Sequence, residues 1–133
     1  MNRPRSAFIG AGAALILAWA GMTIHDVYEL PALVPGSPQF TIPSAIYAVL
    51  AVAWLARPST VTRGLLAIWL VLNLVGGGIL SVLPLPFLPF TPEQTLAHYA
   101  VHVIYTLTQL PGLWVVARRM SSRARTADLG QTG

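Results

Sequence analysis

The chain predicts an all-α fold, a four-span transmembrane helical bundle, and three observations carry that expectation. Of its 133 residues, 55% are hydrophobic and only 9% are charged, against roughly 25% charged in an ordinary soluble domain. Four apolar stretches approach the roughly 20 residues that a helix needs to cross a bilayer. The eight basic residues, all arginines, sit before, between and after those stretches in an alternating pattern. The expected organisation is one four-helix domain over residues 1–120, with spans near 7–28, 41–57, 64–83 and 94–117, and a flexible polar cytoplasmic tail over 121–133.

The first stretch follows Arg3 and Arg5. Its length exceeds that of a signal-peptide core and further spans follow it, so it is read as a retained helix. Residues 30–39 carry three prolines and a glycine and read as a loop, because proline removes a backbone donor and breaks helical hydrogen bonding. Pro43 suits a first helical turn, so the second span is expected to begin near Thr41 and to end at Pro58 and Ser59. From Pro43 to Arg57 that is only about 22 Å at 1.5 Å per residue, short for a core of roughly 30 Å.

The third span carries Asn73 and Ser81 as its polar side chains. Pro84, Pro86, Pro89 and Pro92 then break the chain. The apolar loop at 84–90 is expected at the membrane interface with its aromatic rings inward, since an apolar loop in water would be costly. Thr91-Pro92-Glu93-Gln94 reads as the start of the fourth helix: a cap, a first-turn proline, a first-turn carboxylate and an N3 glutamine. Pro111 should kink that helix.

Orientation follows from charge. Arg3 and Arg5, Arg57 and Arg63, and Arg118, Arg119, Arg123 and Arg125 all fall on one side of a four-span chain, while Asp26, Glu29 and Glu93 fall on the other. The positive-inside rule then places both termini in the cytoplasm of an inner or plasma membrane. The arginine-rich tail is read as a solvated topology anchor, with no nucleic-acid partner expected.

Gly10, Ala14, Ala18 and Gly21 recur at spacings of four, four and three, a small-residue face of the kind on which membrane helices pack. Asn73, Gly76 and Gly77 form a second packing side; the Gly76-Gly77-Gly78 run lacks the context of a phosphate-binding loop. The tyrosines Tyr28, Tyr47 and Tyr99 and the four tryptophans read as bundle or interface anchors.

The fourth span is the most informative. Gln94, His98, His102, Tyr105 and Gln109 follow at intervals of four, four, three and four, an arc of about 80° at 100° per residue. Such a polar stripe has to face the bundle interior or a wet cleft. His25, Asp26 and Glu29 come to the same outer end of the first helix. Three imidazoles and one or two carboxylates suit a divalent transition metal such as zinc. The alternatives are hydrogen bonds that merely hold helices one and four together, a haem, or a proton-responsive site. With zero cysteines there is no thiolate chemistry, and without a nucleophile motif or cofactor fingerprint an enzyme is not expected. Small size and little soluble surface suggest an accessory or assembly subunit of a membrane complex for transport or electron transfer, bound to a membrane-protein partner or a second copy. An autonomous metal- or small-ligand-binding protein is the alternative.

Overall fold

The computed structural model describes the backbone of residues 3–29 and 36–131 and the side chains of 8–29 and 36–118. The described residues contain four long helices and no strand. Helix α1 covers Arg3–Glu29, α2 Pro38–Ala56, α3 Thr60–Val71 and α4 Leu96–Gln131. Helix α3 runs on through a π-helical segment, Leu72–Ile79, and a 3₁₀ turn, Leu80–Val82. The segments Phe8–Glu29, Pro38–Ala56, Thr60–Val82 and Leu96–Arg118 are each long and apolar enough to cross a membrane. Neighbours in sequence are neighbours in space, and α4 closes the ring against α1, its most extensive partner.

Three helix starts differ from the sequence expectation, each for a local reason. Helix α2 begins five residues before Pro43. Gly36 adopts φ 97, a left-handed turn open to glycine. Ser37 is then extended and Pro38 takes the first helical turn. Pro43 lies inside the helix, and 19 residues give about 28 Å of length, so the apparent shortness disappears. The other part of the expected loop, residues 30–35, lies outside the described residues.

Helix α3 begins before Gly64 because Ser59 and Thr62 form a reciprocal capping box: Thr62 N–H donates to Ser59 Oγ at 3.0 Å and Ser59 N–H to Thr62 Oγ1 at 3.0 Å. Helix α4 is capped by Thr95, not Thr91. The Thr95 hydroxyl accepts from His98 N–H at 3.2 Å. Gln94 stays outside the helix, its amide donating to the carbonyls of Pro92 at 3.2 Å and Val82 at 3.5 Å. It is therefore exposed and not part of the buried stripe.

The backbone of the expected tail continues α4 as helix to Gln131, with no proline to interrupt it. In the 84–90 loop, Phe87 is 73% exposed and Phe90 51%, so both rings lie on the surface of the bundle. Pro111 sits within α4 without ending it.

Close packing is concentrated where α1 meets α4. Ala11, Ala14, Leu15, Ala18, Gly21 and Met22 are buried. A Cβ built on Gly21 would stand 1.7 Å from Thr108 Oγ1 and 2.7 Å from Thr108 Cβ, so only glycine permits this approach. Gly112 meets Leu70 and the Ala14 carbonyl in the same seam. Gly10 and Gly76 are exposed with open space around them; Ala11 and Gly78 occupy the packing positions that those two were expected to hold. Gly77 packs on the Tyr105 ring, 2.7 Å from a notional Cβ.

Gly21→Ala is therefore expected to destabilise the bundle by roughly 1–3 kcal/mol through overpacking, read as a lower thermal midpoint in detergent micelles. Gly10→Ala and Gly76→Ala meet no neighbour and should leave the midpoint unchanged or slightly raised, since alanine is the better helix former.

Candidate metal centre

The α4 stripe is built as its periodicity implies: His98, His102, Tyr105, Gln109, Gly112 and Val116 are all buried. Polar groups so placed need partners, and each finds one on another element. Gln109, fully buried, accepts from Tyr47 O–H at 2.5 Å and donates through Nε2 to the Ala18 carbonyl at 2.9 Å. This ties α4 to α2 and α1 at once. Tyr105 O–H donates to Asn73 Oδ1 at 2.5 Å, and Asn73 Nδ2 donates to the Trp69 carbonyl at 2.8 Å. The π-helical segment is thus joined to α4 beside the glycine run.

One to two turns nearer the start of α4 the stripe becomes ionisable. His98 and His102 are 2% and 3% exposed. His98 Nδ1–H donates to Glu29 Oε1 at 2.6 Å, linking the last residue of α1 to the first turn of α4. His102 Nδ1–H donates to the Gly78 carbonyl at 3.2 Å. His25 lies against His102, with ring centroids 4.6 Å apart and nearly perpendicular, and its Nδ1–H donates to Asp26 Oδ1 at 3.0 Å. His102 is the middle ring of the three, 4.5 Å from His98 on its other side.

The ligand atoms of Glu29, His98 and His102 lie within 4.8 Å of one another. His98 Nε2 is buried and has no hydrogen-bond partner among the described residues. Such an orphan costs free energy and suits a Lewis acid, since neutral imidazole is a common transition-metal ligand. The donor set, imidazole nitrogen with carboxylate oxygen and no sulfur, matches zinc and its neighbours better than calcium or copper(I). A cavity of about 370 Å³ lies over the cluster, lined by His25, Glu29, His98 and His102 and rimmed by Phe90 and Glu93 of the proline-rich loop. A second cavity, about 250 Å³ between α1 and α2, is lined chiefly by apolar side chains such as Leu15, Ile16 and Leu55.

Of the residues singled out from sequence, His25, Glu29, His98 and His102 line one pocket. Asp26 touches it only through His25. Tyr105 lies beneath, its ring 4.8 Å from that of His25. Sequence reasoning missed the Gly78 carbonyl, the Thr95 cap and Tyr47 as the buried partner of Gln109. A backbone acceptor leaves no mark in residue identity; Tyr47 was visible as an aromatic but not as a hydrogen-bond donor.

Tyr47→Phe removes the donor to a buried amide oxygen and is expected to cost about 1–3 kcal/mol. Adding Gln109→Leu should recover part of that loss, because removing both partners leaves no orphan; a double-mutant cycle of thermal unfolding in micelles measures the coupling. No family model, curated protein or solved structure matches this chain.

Proposed function

We propose that this chain is a small integral membrane protein, both termini cytoplasmic, that binds a divalent transition metal such as zinc from the outer face at the Glu29, His98 and His102 cluster. One observation carries the reading: a carboxylate and two buried imidazoles from two helices bring their ligand atoms within 4.8 Å, and one of those imidazoles has an unpartnered Nε2. A cluster serving only to hold α1 and α4 together has no need of that nitrogen.

Insertion is supported by the outward-facing apolar side chains on all four segments, among them Ile9, Val49, Ile68 and Leu107. Orientation is supported by charge: Arg57, Arg63 and Arg118 stand at the end of the bundle opposite Glu29 and Glu93. From His98 to Arg118 is about 30 Å along α4, one hydrocarbon thickness. Arg118 also lies over the Trp114 ring at 3.6 Å, a cation–π pair suited to headgroup depth. An accessory-subunit role rests on small size and little soluble surface, neither of which favours a protein partner over lipid; the cluster calls for its own explanation.

Elemental analysis of tag-free protein purified without chelator is expected to find near-unit zinc or a related metal, reduced to background in His98→Ala and His102→Ala. Metal at background in the wild type, and none taken up on titration, would overturn the reading. Topology has a separate check, made clean by the absence of native cysteine. In intact cells a membrane-impermeant maleimide should label Phe87→Cys but not Pro58→Cys; the reverse pattern would invert the orientation.

A further inference from the structure

The three histidines share one pattern: every Nδ1 is engaged by an acceptor at its own helix end or on the neighbouring segment. His25 Nδ1 meets Asp26 Oδ1 at 3.0 Å, His98 Nδ1 meets Glu29 Oε1 at 2.6 Å, and His102 Nδ1 meets the Gly78 carbonyl at 3.2 Å. A carbonyl or carboxylate oxygen can only accept, so each Nδ1 carries the proton. Each ring, when neutral, then presents an unshared pair on Nε2. This is how metal-ligating histidines are held, one ring nitrogen on the metal and the other donating to a carboxylate or backbone carbonyl.

Two of those Nε2 atoms already face each other. His25 Nε2 and His102 Nε2 are 3.3 Å apart. With both Nδ1 atoms protonated, two unshared pairs would oppose one another at that distance unless a proton or a cation lies between them. Two nitrogens bound to one tetrahedral zinc at about 2.0–2.1 Å are separated by about 3.3 Å. The pair therefore stands at the edge length of a zinc tetrahedron.

We infer that the metal is held by the Nε2 atoms of His25, His98 and His102, that Asp26, Glu29 and the Gly78 carbonyl are the orienting acceptors behind them, and that the fourth coordination position opens to the 370 Å³ cavity for water or a small anion. This rests on the proposed metal binding and changes the ligand set: His25 enters the coordination sphere and Glu29 leaves it. His98 closes the sphere by moving its buried, unpartnered Nε2 toward the His25–His102 pair from a ring position 4.5 Å from His102. Three imidazoles and an exchangeable fourth ligand form an open site, in contrast to the closed four-ligand sites that serve structure alone.

The test uses the full chain in micelles with cobalt(II) as a visible probe. The wild type is expected to bind one equivalent with the intense visible bands of a tetrahedral centre, and azide should shift those bands. His25→Ala is expected to lose the tetrahedral spectrum. Glu29→Gln, which keeps an acceptor oxygen, should retain it with affinity lowered about 10–100-fold. Loss of the spectrum in Glu29→Gln with retention in His25→Ala would overturn the ligand set while leaving metal binding intact. Absence of cobalt uptake by the wild type would instead overturn the underlying function. Bands unmoved by saturating azide would overturn the open position. Since His25→Ala also leaves a gap beside Tyr105, ¹⁵N-histidine spectra of the wild type give a mutation-free reading. Zinc should shift Nε2 of all three rings and leave each Nδ1 protonated; a zinc shift at His98 Nδ1 would count against the assignment.

Discussion

The close approach of α1 to α4 is the constraint on which the rest of the bundle depends. At Gly21 the two helices come so near that even a methyl group would overlap Thr108. That proximity lets Gln109 reach the Ala18 carbonyl, and one turn further it sets His25 against His102. In an apolar surrounding no water compensates a polar group left alone. The seam is consequently both a packing surface and the condition under which α4 can carry two histidines, a tyrosine and a glutamine on its inner face. Small residues on one helix permit polar ones on the other.

Much of this was legible in the sequence because it follows from periodicity. The intervals linking His98, His102, Tyr105 and Gln109 admit one face of a helix, and polarity says which way that face must turn. The arginine pattern gave the alternation of helix direction. Ala14, Ala18 and Gly21 announced the narrow side of α1, although Gly10, one turn earlier, is exposed; a small-residue repeat does not say where the partner helix diverges.

Helix termini were legible only in part, since several residues competed for each cap. Pro38 and Pro43 both suit a first turn, and the choice fell to Gly36, whose left-handed φ prepares the earlier start. Thr91 and Thr95 both suit a cap, and the choice fell to Gln94, whose side chain is spent bridging the loop back to Val82. The π-helical geometry of Leu72–Ile79 left no trace beyond three glycines, and with it went any foresight of the carbonyl that orients His102.

That segment ties the chemistry to chain length more than to residue identity. In π geometry each N–H reaches one residue further back than in an α-helix, so the wide turn in effect accommodates an extra residue within the third span. Relaxation of the segment to α geometry at its present length would rotate everything beyond it by about 100°. The Gly78 carbonyl would swing off His102, and the loop that roofs the cavity would leave the bundle in another direction. The identities of Leu74, Val75 and Gly76 can drift within apolar limits, whereas loss of the wide turn at the present chain length would dismantle the site without touching one of its side chains.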